Sequence, residues 1–109
     1  MAFDAGLAER LRDLFRERHD VVEKRMFGGL AFMLGEHMCV GILGDALLAR
    51  VGAEGYEDAL HARHVHPMDF TGRPMKGFVV VEPAGFESDA DLAHWVERCM
   101  VFVRSLPPK

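Results

Sequence analysis

The chain has 109 residues, too few for two ordinary domains but enough for one core without disulfide or metal staples. Half of the residues are hydrophobic and 28% are charged, which excludes a disordered chain. A net charge of -4 argues against a general nucleic-acid binder, which needs a cationic footprint, and no apolar run approaches the ~20 residues of a membrane span.

The first element reads as a helix over 4–19. Leu7, Leu11, Leu14 and Phe15 form one stripe, Asp4 caps the start, and Glu9, Arg12, Asp13, Arg16 and Glu17 make a solvated face. From Val21 the period changes to two, an optional lead-in strand that runs into Gly28-Gly29, a bend, bulge or close backbone approach. Three apolar runs follow over 30–34, 38–43 and 46–51. Gly35-Glu36 and Gly44-Asp45 separate them, and Gly in first position suits a type II′ hairpin turn. The three runs therefore predict an antiparallel meander.

A short helix is expected over 54–62, with Tyr56, Ala59 and Leu60 inward. Residues 63–70 are a polar stretch, and Thr71-Gly72-Arg73-Pro74 is a turn. Residues 76–82 form a strand whose Phe78-Val79-Val80-Val81 run is apolar on both sides, as in a strand covered on both faces or one at a subunit contact. Pro83 ends it. Ser88 caps the last helix, with Asp89 and Asp91 favourable in its first turn. Leu92, Trp95, Val96, Cys99, Phe102, Val103 and Leu106 line that helix. Met100 and Val101 widen the stripe, so the helix is deeply buried or shares a face with a partner. The order is helix, three-strand meander, helix, two strands, helix: an α+β domain over 1–109 with helices on one face of an antiparallel sheet.

Chemistry is sparse. There is no Asn or Gln, and apart from Tyr56 the only side-chain hydroxyls are Thr71, Ser88 and Ser105. Cys39 and Cys99 read as buried inert thiols, although His37 shares a strand face with Cys39. Two cysteines make no disulfide framework, and the opening Met1-Ala2-Phe3-Asp4 lacks the basic and apolar stretches of a secretory leader. Both point to a cytoplasmic protein. His61, His64 and His66 have a metal-like spacing, but they run from a helix end into irregular chain and need not share a face, so no metal is expected. Glu82, at a strand end, is the nearest approach to a general acid and reads more simply as a solvated terminus. No cofactor is implied, and the expectation is a protein without catalytic activity.

Two segments remain as binding candidates. Arg25-Met26-Phe27-Gly28-Gly29 combines a guanidinium fork with a glycine bend whose N–H groups can meet an anion or a partner chain, or it is a plain sheet bulge. In the segment over 71–77, Arg73 and Lys76 could hold a phosphate or carboxylate, or form a cationic hairpin tip. If Arg25, Arg73 and Lys76 converge, the domain binds a small anion or phosphorylated ligand.

The string Arg25-Met26-Phe27-Gly28-Gly29, followed by an apolar strand and a Gly turn, resembles the N-terminal domain of the TfoX/Sxy family. Leu47-Leu48-Ala49-Arg50-Val51 occupies the place of a second family strand, with Arg50 where relatives often have Lys. Gly77 to Pro83 and Ser88 to Ser105 resemble its last strand and last helix, so the likeness covers about 11–106. The resemblance implies a two-layer, secretion-chaperone-like α+β fold. It also implies a bacterial regulator of natural competence that acts with transcription factors and not by catalysis. Longer members carry a second domain with helix-hairpin-helix character. This chain ends at Pro107-Pro108-Lys109, so direct nucleic-acid binding is not expected. The functional expectation is a regulatory or adaptor domain, a homodimer with a protein partner, whose contact surfaces are Arg25, Phe27, Gly28 and Gly29 and the last helix.

Overall fold

The structure, a computed structural model, describes residues 4–26, 28–69 and 74–107. In chain order its elements are α1 (Ala5–Leu14), β1 (Val21–Met26), β2 (Gly29–Leu34), β3 (His37–Leu43), β4 (Ala46–Arg50), α2 (Gly52–Leu60), β5 (Val65–Asp69), β6 (Pro74–Val81) and α3 (Asp89–Arg104). A single 3-10 turn at Pro83–Gly85 precedes α3. The six strands make one antiparallel sheet in the order β1-β2-β3-β4-β6-β5. The class is α+β, as the periodicity predicts.

Most local signals act as expected. The Asp4 carboxylate accepts from the N–H groups of Gly6 (2.7 Å) and Leu7 (3.4 Å) and caps α1, while Ser88 Oγ accepts from Asp91 N (3.0 Å) and caps α3. The two hairpin glycines Gly35 and Gly44 have φ of 65° and 61°, and neither Glu36 nor Asp45 has positive φ, as a type II′ turn requires.

Element order differs from expectation in two places. The lead-in at Val21 is a full strand, paired with β2 from Val21↔Leu34 to Met26↔Gly29. It reads weakly because it is an edge strand with exposed residues from Val22 to Arg25. The polar stretch after α2 contains β5, the opposite edge, where Pro67 is tolerated because an edge strand can lose one N–H. Only Met68 of β5 is buried. The ends of helices also move. α1 stops at Leu14, because Phe15 turns into the core and stacks on Phe32 with ring centroids 5.6 Å apart. α2 starts at Gly52 rather than Glu54.

The sheet has two unlike faces. All three helices pack on one, in a cluster that includes Leu7 and Leu11 of α1, Tyr56 and Ala59 of α2, and Leu92, Trp95, Cys99 and Val103 of α3. From the sheet it takes Phe32, Val40, Leu47, Val79 and Val81. Among the described residues, the other face carries a smaller cluster of strand residues: Ala31, Met38, Ala46, Leu48, Met68 and Val80, all buried, with Met26, Met33, Leu43 and Phe78 partly buried beside them. A Cβ added at Gly41 would lie 2.9 Å from the Met38 methyl, so this methionine lies flat over the glycine and covers backbone that no helix reaches. The apolar run of β6 is thereby explained: Val79 and Val81 face the helices, and Phe78 and Val80 face the methionine side. The excess of α3 is absorbed inward. Met100 is buried in the helix-side core, and among the described residues of α3 only Val101 is a large exposed hydrophobe.

Candidate functional site

The bend at the end of β1 has a structural explanation. Gly28 closes the β1–β2 hairpin with φ of 72°, in open space. Gly29 opens β2, where a Cβ would sit 2.0 Å from the Ile42 carbonyl oxygen of β3. One glycine supplies a left-handed turn and the next a close backbone approach. Phe27 lies outside the described residues, as do Thr71, Gly72 and Arg73.

The two described cations of the expected anion site are not brought together. Glu23 receives a two-pronged bond from Arg12 of α1, at 2.6 and 2.8 Å, so β1 turns Glu23 and, two residues on, Arg25 toward the helices. That bond also holds the Glu23 carboxyl below its ordinary range. In β6, Gly77 faces Gly52 and Ala53 of α2 with φ of 98°, and its neighbour Lys76 is exposed. β2, β3 and β4 lie between β1 and β6, a lateral separation of about 19 Å at the usual strand spacing. Convergence of Arg25 with Lys76 on one small anion is therefore corrected: their strands lie four strand spacings apart.

The thiols are poor nucleophiles. Cys39 is 1% exposed, and burial pushes its thiol up to about 12; burial raises Cys99 as well. His37 is occupied elsewhere, its Nε2–H donating to the Pro107 carbonyl at 2.9 Å.

The three sequence-adjacent histidines go separate ways. His61 Nδ1–H donates to the Glu57 carbonyl at 2.7 Å. His66 Nε2–H donates to Glu82 Oε2 at 2.5 Å and ties β5 to the end of β6, so Glu82 is a strand-end partner of a histidine. That bond raises the His66 pKa. A raised folded value means the pair stabilises the fold below the unfolded imidazole value and is lost as pH rises through the folded one. Both side chains are about half exposed, so the gain is a fraction of a kcal/mol. The difference in melting temperature between the parent and Glu82→Gln is expected to be small but measurable at about pH 5.5 and to vanish by about pH 8.5.

His64 stands apart. Its φ of 66° makes it the one non-glycine residue with positive φ among the described residues. It sits in the α2–β5 connection, where its carbonyl accepts from Glu82 N at 2.8 Å. A Cβ on Gly85 would lie 2.7 Å from a Val81 methyl and 3.4 Å from the His64 Cβ, so the 3-10 turn presses directly on this loop. Between the loop, the turn and α3 opens a notch of about 410 Å³, lined by Arg63, His64, Asp91, His94, Trp95 and Arg98, with Ala62 and Ala84 beside them. The Arg98 guanidinium lies 5.6 Å from the Trp95 ring centroid, and its Nη2 donates to the Gly55 carbonyl (3.1 Å) and Asp58 (3.0 Å). His94 meets Trp95 edge-on at 6.3 Å. Sequence reasoning missed this grouping. His94, Trp95 and Arg98 share a helix face by their spacing, but nothing in the chain shows that the loop some thirty residues earlier closes over them.

The model of the TfoX N-terminal domain family matches residues 13–103, from the last turn of α1 to the last turn of α3. No curated protein and no solved structure matches the chain.

Proposed function

The chain belongs to the TfoX N-terminal domain family, and from that premise we propose that it is a non-catalytic regulatory or adaptor domain. It works in the cytoplasm through protein contacts, in transcriptional or competence control. The observation that carries this reading is the sheet face without helices. Among the described residues its cluster is made of strand residues, and four of them are methionines, buried Met38 and Met68 and partly buried Met26 and Met33, unbranched side chains that repack around varied partners. Val22 of β1, 59% exposed, extends the same face to the sheet edge, since it pairs with Met33. The centre of this face (Ala31, Met38, Ala46, Leu48, Met68 and Val80) is already buried within the chain. Its accessible apolar part is Val22 with the partly buried Met26, Met33, Leu43 and Phe78, and a second copy or a partner chain docks on that part. The deeply buried, poorly ionised thiols support a binding role over covalent chemistry.

Sedimentation and pull-down from host lysate test the reading together. The parent is expected to dimerise or to retain a protein partner, and Val22→Glu/Met33→Glu, checked to be folded, is expected to lose that contact. A parent that stays monomeric at millimolar concentration and retains nothing would overturn the reading.

A further inference from the structure

We propose that the notch between the α2–β5 connection and α3 is a binding site for the phosphoryl group of a small organic phosphate. The inference is independent of the protein-contact reading and concerns a different surface. In a chain of net charge -4, four basic side chains, Arg63, His64, His94 and Arg98, line one cleft of about 410 Å³ with a single carboxylate, Asp91. Arg98 spends only Nη2 on Gly55 and Asp58, which leaves Nε and Nη1 without a partner among the described residues, and Arg63 has no hydrogen bond or ion pair there. These donors come from the loop and from α3 and so approach from different directions. That arrangement suits an oxyanion with three acceptor oxygens better than a planar carboxylate, which a single guanidinium fork would satisfy.

The backbone at His64 is a second, independent observation. A non-glycine residue in the left-handed region costs roughly 1–2 kcal/mol, and such residues cluster at ligand sites. Here the conformation is held from behind, by the Glu82 N–H on the His64 carbonyl and by the close packing of Gly85, and it fixes where the Arg63-His64 pair stands at the mouth of the notch. The remaining lining, Ala62, Ala84 and the edge of Trp95, is apolar and suits the organic body of a phosphate monoester.

Calorimetric titration with inorganic phosphate and with phenyl phosphate, at ionic strength held constant with chloride, tests the site. Saturable binding of both is expected. Tighter binding of phenyl phosphate assigns the ligand an organic body, and equal binding assigns the site to the phosphoryl group alone. Arg63→Ala/His94→Ala removes two exposed side chains and is expected to weaken binding about tenfold or more at an unchanged melting temperature. Asp91→Asn removes the one carboxylate of the lining and is expected to strengthen binding severalfold. No saturable heat with either ligand at millimolar concentration would overturn the proposal. So would equal binding by the parent and the double variant.

Discussion

Replacing Gly29 by alanine is expected to lower the melting temperature by roughly 12 °C or more. The new methyl group would lie 2.0 Å from the Ile42 carbonyl oxygen, and the obstacle is backbone in a paired strand, which cannot swing aside as a side chain can. Relief requires prying β2 from β3, the two strands that meet at Leu30↔Ile42. Overpacking of this severity costs at least about 3 kcal/mol, and each kcal/mol is worth about 4–8 °C in a domain of this size. The neighbouring Gly28→Ala makes the comparison informative. Its Cβ would meet nothing within 4 Å, so only the left-handed φ of 72° is penalised, at about 1–2 kcal/mol. Thermal melts of the two variants should therefore separate clearly. Equal melting temperatures would mean that the Gly-Gly pair serves only as a turn and that the close approach is wrong.

Phe32→Ala is expected to be the most damaging single truncation on the sheet, at about 4 kcal/mol. Phe32 is 1% exposed on the helix side, stacked on Phe15, the residue at which α1 ends. Truncation leaves a cavity beneath α1 that rigid neighbours cannot fill. Met33, next in the chain, faces the opposite side and is only partly buried, so Met33→Ala should cost about 1 kcal/mol. Chemical denaturation of both variants measures the contrast between the two faces directly. Similar losses would show that the second face is packed as tightly as the first and would remove the basis for docking there.

The fold was legible wherever local chemistry decides structure. Glycine-led turns at Gly35 and Gly44 marked the meander, side-chain caps at Asp4 and Ser88 marked helix starts, and the apolar stripe of α3 marked the helix that lies deepest. It was poorly legible at both sheet edges. β1 and β5 expose most of their side chains, so neither shows a buried alternation, and Pro67 argues against a strand in any position but an edge. The site was less legible still. Arg25 and Lys76 look like one cationic set because both stand near glycines, yet the strand order puts three strands between them. Conversely, His64 and His94 meet at one notch because a loop closes against a helix, a tertiary event with no counterpart in sequence spacing.

The strand order also governs how the chain assembles. Four of the sheet's pairings, β1 with β2, β2 with β3, β3 with β4 and β5 with β6, join neighbours in sequence, and only β4 with β6 does not. The sheet is therefore a four-strand meander and a separate hairpin, each closable through short loops, joined along a single seam from Leu47↔Val81 to Arg50↔Phe78. Loop-closure entropy concentrates in that seam, because β6 must return across α2 before any contact there compensates for it. Arg50 stands at its end, with its guanidinium 5.4 Å from the Phe78 ring and 5.7 Å from that of Phe102 in α3. One side chain thus touches the meander's last strand, the hairpin's long strand and the final helix, and the step that closes the seam also seats α3. That seam is the one sheet pairing whose closure is not local in sequence, and it joins the four-strand meander, the β5–β6 hairpin and α3 in one place.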